Sequence, residues 1–206
     1  SSSGKKRLDI SGVEQNLLTS RALFESLDLD GGGLITKSDL LTALQAKGIL
    51  ADDQRISHTI QKLSLLADLD TIDQQAFHDV ISRNLTLIER SLRGDLVIPD
   101  FTTFSDIITD IYETVRSNRS GAVADYIPQL AKVDPELYAI AVCTVDGQRF
   151  NLGNHDVPYC IQSTCKPINY CMALEQLGEN NVHQHIGREP SGRGFNELTL
   201  NKDGLP

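Results

Sequence analysis

Ser163 and Lys166 stand three residues apart in the run Gln162-Ser163-Thr164-Cys165-Lys166-Pro167. One helical turn brings positions three apart onto one face. A serine hydroxyl is a weak nucleophile at neutral pH and needs a base within hydrogen-bond reach; a lysine desolvated in a pocket can lose its proton and serve. Free backbone N–H groups at the start of a helix can then hold an oxyanion. The four residues are thus a candidate serine-hydrolase pair. Taken alone, the tetrapeptide is better read as an N-cap serine followed by a solvated lysine, and only its context can favour the hydrolase pair. Cys165 has no histidine close in sequence to act as its base and reads as a packing residue.

A second run with chemical potential is Asp28-Leu29-Asp30-Gly31-Gly32-Gly33-Leu34-Ile35-Thr36-Lys37-Ser38-Asp39. It fits the frame of a twelve-residue EF-hand loop, with Asp at positions one and three, Gly at six and Ile at eight. Its candidate cation ligands are Asp28, Asp30, Thr36 and Asp39. Gly32 offers no side-chain oxygen at position five, and Asp39 stands where a longer, bidentate Glu is expected. Calcium binding is therefore expected to be weak or absent, and the loop to be a metal-free helix connector. The run Asp68-Leu69-Asp70-Thr71-Ile72-Asp73 keeps an isoleucine that could pair with Ile35 across a short β-bridge, without the ligand spacing.

The elements that must position these residues follow from periodicity. Val13, Leu17, Phe24 and Leu27 mark a first helix, and Leu40, Leu41 and Leu44 a second. Ile56, Ile60, Leu63 and Leu66 mark a third; Phe77, Ile81, Leu85, Ile88 and Leu92 mark a fourth that stops near Gly94. Residues 1–12 read as a disordered tail and 13–95 as a small helical domain. Pro99 interrupts the helical period, so a second domain is placed at 96–206. Its first helix carries Phe104, Ile107, Ile108, Ile111 and Val115 on one face. Leu137 to Val145 is rich in β-formers, and Asp146-Gly147 is the turn chemistry of a two-residue hairpin. Pro167 suits the first position of a helix that runs to a stop at Gly178. The fold class is α+β.

The chain has 206 residues, 28 acidic against 19 basic, and a formal net charge of −9. That balance argues against a nucleic-acid binder, which needs clustered Lys and Arg. No apolar run approaches the ~18 residues of a membrane span. Cys143, Cys160, Cys165 and Cys171 fit neither paired zinc-site spacing nor a small disulfide scaffold, which suggests a reducing compartment. The N-terminal Ser and the unclosed Asn201 to Pro206 both read as cuts.

Four further runs, in order, carry a resemblance: Val123-Ala124-Asp125-Tyr126-Ile127-Pro128-Gln129-Leu130-Ala131, Thr144-Val145-Asp146-Gly147-Gln148, Ile161-Gln162-Ser163 and Glu189-Pro190-Ser191-Gly192. Residues from Val97 onward resemble the glutaminases, and the helical region before them resembles the EF-hand-like domain that precedes the catalytic domain in animal members. The resemblance implies hydrolysis of L-glutamine to glutamate and ammonia in a domain similar to serine β-lactamases and penicillin-binding proteins. It implies Ser163 as nucleophile, Lys166 as its base, and Tyr126 and Gln162 in the glutamine pocket, with no metal or organic cofactor. The loop Gly192, Arg193, Gly194, Phe195, Asn196 and Leu198 matches one that gates the site and contributes to a subunit interface; Arg193-Gly194 depart from the family's usual sequence there. A homotetramer, phosphate as an activator and a mitochondrial location, with the transit peptide upstream of Ser1, are also implied. The remaining substrate contacts are expected beyond Pro206, so the chain alone is expected to be inactive.

Three other readings stay beside this one. A penicillin-recognising hydrolase shares Ser-x-x-Lys, but such proteins are usually exported and no export signal is recognisable here. A calcium-responsive adaptor would rest on the loop from Asp28 to Asp39. A non-catalytic fragment that associates with complete subunits would use neither.

Overall fold

The computed structural model describes residues 10–66, 70–189, 192–194, 197, 199–202 and 204. Two compact units divide it, Ser1–Asp156 and Val157–Pro206. In the first, the order is α1 (Ile10–Leu27), β1 (Leu34–Thr36), α2 (Lys37–Gln45), α3 (Ser57–Leu65), β2 (Thr71–Asp73), α4 (Gln74–Ile81), α5 (Leu85–Arg93), α6 (Phe101–Arg116), β3 (Ala139–Cys143) and β4 (Arg149–Gly153). The second holds α7 (Lys166–Leu177) and α8 (Glu179–Val182). Residues 10–12, expected in the tail, open α1.

The apolar stripes of α1 to α5 converge on one core that includes Leu23, Phe24, Leu40, Leu44, Ile56, Leu63, Phe77, Ile81 and Ile88. The Phe24 and Phe77 rings meet edge to face at 5.6 Å. β1 and β2 pair antiparallel with Ile35 opposite Ile72, both buried in that core. The short bridge expected from the two isoleucines is therefore present, and it ties two helix-loop-helix halves together as in an EF-hand pair. Asp68 and Leu69 lie outside the described residues.

The expected fourth helix is two. A 3-10 turn at Ser82–Asn84 separates α4 from α5. Asn84 explains the break: its side-chain oxygen accepts from Thr59 N–H at 3.1 Å and from the Thr59 hydroxyl at 2.8 Å, and its amide donates to Arg55 O at 2.6 Å. A short polar side chain that bonds distant backbone competes with continued helix. The stop is where glycine put it, since Gly94 adopts φ 77° and closes α5 with its N–H bonded to Ser91 O.

Two further expectations change. In α6 the buried positions are Phe101 and Tyr112, while Ile107, Ile111 and Val115 of the expected inner face are exposed. The helix is oriented by Phe101 at its start and by Tyr112, which stacks on Tyr138 at a centroid distance of 4.7 Å. The β3–β4 hairpin is antiparallel with Cys143 opposite Arg149. Its connection is not a two-residue turn. Thr144 N–H bonds Gln148 O, and Gly147 N–H bonds Thr144 O, enclosing a three-residue loop whose last member, Gly147, takes φ 82°. That is the turn-plus-left-handed-residue solution of three-residue hairpins.

Candidate active site

Ser163 and Lys166 sit in the second unit at the entrance of α7. Gln162–Cys165 forms a 3-10 turn, and Lys166 is the first residue of the helix with Pro167 second. Pro167 therefore lies one position deeper than expected, at a place where its missing N–H still costs nothing. The turn is reached through Gln162, which holds φ 46°, a left-handed conformation uncommon for a residue with a side chain. Two side chains brace it: Thr164 donates to Ile161 O, and the Cys165 thiol donates to Gln162 O at 2.9 Å. Sequence reasoning assigned Cys165 to packing and left Thr164 unassigned; hydroxyl and thiol groups that return to nearby carbonyls carry no signature in the sequence itself.

Ser163 and Lys166 are both exposed. Among the described residues no hydrogen bond joins them or engages the Ser163 hydroxyl, and the Lys166 N–H bonds the Ser163 carbonyl instead. A nucleophile–base contact is thus not made in this arrangement, although both groups issue from one turn. Further along the unit, Tyr170 OH lies 2.9 Å from His183 Nε2, and the Arg188 guanidinium pairs with Glu179, whose carboxyl it holds below the usual range. Gly192, with φ 68°, Arg193 and Gly194 are described; Pro190, Ser191, Phe195, Asn196 and Leu198 lie outside the described residues.

Tyr126 belongs to the first unit, on the exposed stretch before the 3-10 turn Leu130–Lys132. Tyr126 and the Gln162–Lys166 turn are each described within their own unit.

The loop from Asp28 to Asp39 has its carboxylates turned to its own backbone. Asp28 accepts from the N–H groups of Gly32 and Gly33 at 3.1 and 2.9 Å, and Asp30 from Gly32 at 2.8 Å. The Gly32 bond, with the Asp28 contact, holds the Asp30 carboxyl below its ordinary range. Asp39 and Thr36 cap α2 reciprocally, Asp39 N–H to Thr36 Oγ1 at 3.0 Å and Thr36 N–H to Asp39 at 2.8 Å. Three of the four candidate ligands therefore have structural employment as carboxylates, and Thr36 does as well. No cluster of three or more metal-ligating side chains occurs among the described residues. The four cysteines are free. No helix among the described residues is long and apolar enough to cross a membrane.

A helix-loop-helix pair is followed by a mixed segment that presents Ser163 and Lys166 from one helix-entry turn. Both parts of the chain are similar to known sequences. Residues 121–206 match the glutaminase family model and residues 19–99 an EF-hand domain model. The mouse liver isoform of glutaminase, a mitochondrial protein by name, is 37% identical over 169 residues, which is 80% of this chain and 28% of that protein. Putative glutaminase 2 of Caenorhabditis elegans is 32% identical over 206 residues, covering 94% of this chain and 34% of the relative. The glutaminase of Corynebacterium glutamicum is 40% identical over 101 residues, 49% of this chain and 24% of its own length. By these matches the chain is similar to animal glutaminases over most of its length, and it spans about three-tenths of the length of the animal relatives it matches.

Proposed function

We propose that the protein containing this chain hydrolyses L-glutamine to L-glutamate and ammonia. The observation that carries the reading is the match of residues 121–206 to the glutaminase family, in the segment that also holds the Ser163–Lys166 turn. In the proposed reaction, Ser163 Oγ attacks the side-chain amide carbon while neutral Lys166 takes the hydroxyl proton. The oxyanion then collapses, the C–N bond breaks, and Lys166 returns the proton to the leaving nitrogen as ammonia. Water, deprotonated by Lys166, hydrolyses the acyl-serine to glutamate and restores Ser163. Tyr126 and Gln162 are proposed to contact the substrate, and the loop Gly192 to Leu198 to gate it. No step calls for a cofactor.

Lys166 is exposed in the turn, so its proposed action as a base calls for a cover that excludes water, together with orientation of the Ser163 hydroxyl toward it. The domain limits 13–95 and 96–206, a β-lactamase-like catalytic fold, tetrameric assembly, phosphate activation and a mitochondrial location belong to the same proposal. The names of the two mammalian liver isoforms support the last. The test is glutamine turnover by the native full-length protein and by its Ser163→Ala variant. A loss of several orders of magnitude in kcat is expected with unchanged thermal stability; a variant within tenfold of the parent overturns the assignment of Ser163.

A further inference from the structure

The hairpin of β3 and β4 is poorly supplied with its own core. The residues of its strands are exposed or half-buried, with no fully buried side chain in either. A two-stranded hairpin of that kind is marginal in water. The fully buried side chain is a polar one in the connection, Gln148, at 0% exposure.

Every hydrogen-bonding group of that amide is used. Gln148 Nε2 donates to Lys47 O at 3.0 Å and to Ile98 O at 2.9 Å, and Gln148 Oε1 accepts from Ile98 N–H at 3.0 Å. The neighbours on either side are engaged with the same surface. Arg149 N–H donates to Gly48 O at 2.7 Å, and Val97 N–H donates to Asp146 Oδ2 at 2.8 Å. Arg55 donates to Asp146 O at 2.5 Å, Arg90 lies 3.8 Å from the Asp146 carboxylate, and Arg149 pairs with Asp52. The approach is tight enough that a Cβ on Gly48 would come within 2.8 Å of Gln148 Cβ, and one on Gly147 within 2.2 Å of the Arg55 guanidinium.

We propose that the surface formed by the segment after α2, the end of α5 and Val97-Ile98 is a recognition site for the turn Asp146-Gly147-Gln148, and that the EF-hand-like helices serve as the platform that holds the first hairpin of the glutaminase segment. Recognition is amide-specific. Two carbonyls and one N–H converge on Gln148, a set that a primary amide matches and a carboxylate does not, because a carboxylate offers no donor to the carbonyls. The helical domain thereby has a task that uses none of the carboxylates of the Asp28–Asp39 loop, and the assignment stands independently of the glutamine-hydrolysis reading.

Amide hydrogen exchange in the intact chain tests it. In Gln148→Ala, exchange of the β3 and β4 amides should accelerate at least tenfold while the core amides of α4 and α5 stay within twofold. Gln148→Glu supplies the second arm, since burial against two carbonyls raises the glutamate pKa. Its hairpin protection, taken relative to the parent at the same pH, should be poor at pH 8 and recover toward pH 5.5 as the carboxyl gains its proton. Equal acceleration in hairpin and helices, or a Gln148→Glu chain indistinguishable from the parent at pH 8, would overturn the proposal.

Discussion

Replacing Gly48 by alanine separates two costs that usually travel together. Gly48 holds φ 79°, and its added Cβ would meet Phe101 ring atoms at 2.6 and 2.8 Å and Gln148 Cβ at 2.8 Å. Gly31 holds φ 68° with nothing within 4 Å of the same atom. Both substitutions incur the left-handed strain of a side-chain-bearing residue, about 1–2 kcal/mol, partly offset by the lower entropy of the unfolded chain. Only Gly48→Ala adds overpacking. Phe101 and Gln148 are both buried, at 3% and 0% exposure, and neither can swing into solvent. Overpacking of that kind costs about 1–3 kcal/mol. At about 2–4 °C per kcal/mol for a chain of this size, Gly48→Ala should melt roughly 2–12 °C below Gly31→Ala. Differential scanning fluorimetry on the two variants in parallel reads the difference directly. Equal melting temperatures would refute the claim that the surface between the helices and the hairpin is packed to contact at Gly48.

Further outcomes follow from the same structure. In the native full-length protein, Lys166→Arg should abolish turnover because a guanidinium stays protonated, and Ser163→Ala/Lys166→Arg should cost little more than either change alone; additive losses in kcat would show that the two do not act as one unit. Calorimetric titration of the chain with calcium should give no site of micromolar affinity or tighter, since Asp28, Asp30 and Asp39 are bonded to their own loop. The Arg55 hydrogen bond holds the Asp53 carboxyl below its ordinary range. A depressed carboxyl contributes stability above its unfolded pKa of about 4 and loses it as pH falls through the folded value. The stability gap between the parent and Asp53→Asn, measured by urea unfolding, should therefore narrow on acidification below about pH 4, and a gap that widens there would contradict the assignment. The native protein should sediment as a homo-oligomer; a monomer at high concentration with phosphate present would remove the proposed assembly.

What could be read from the sequence was what depends on near neighbours. Ile35 and Ile72 announced their bridge because each sits at a fixed place in a loop frame, and Gly94 announced its cap because a left-handed helix end favours glycine. Ser163 to Pro167 was legible as a helix entrance for the same reason. The break at Ser82–Asn84 was not, because Asn84 takes its partners from Thr59 and Arg55, which only the folded helices bring near. Gln148 gave no sign of its burial, since a glutamine after Asp-Gly reads as the wet end of a hairpin. The inner face of α6 was misjudged on hydrophobicity alone, when the contact that orients it is the stacking of Tyr112 on Tyr138. At the candidate site, residue types were legible and the relation between them was not. Whether Ser163 meets Lys166 depends on rotamers and cover that no spacing encodes.

The bonds from Gln148 to Lys47 span 101 residues of sequence, and those from Arg149 to Asp52 span 97. Closing a loop of that length costs about 4 kcal/mol of chain entropy beyond the constant term if both ends are free. During synthesis they are not equally free. The helical residues leave the ribosome first; Ile98, the last part of the docking surface, precedes Gln148 by 50 residues, which at roughly 5–20 residues per second is a lead of about 2.5–10 s. Helices form and collapse in microseconds to milliseconds. The docking surface is thus finished before its occupant exists, and the hairpin meets, as it emerges, a partner already folded and tethered to it.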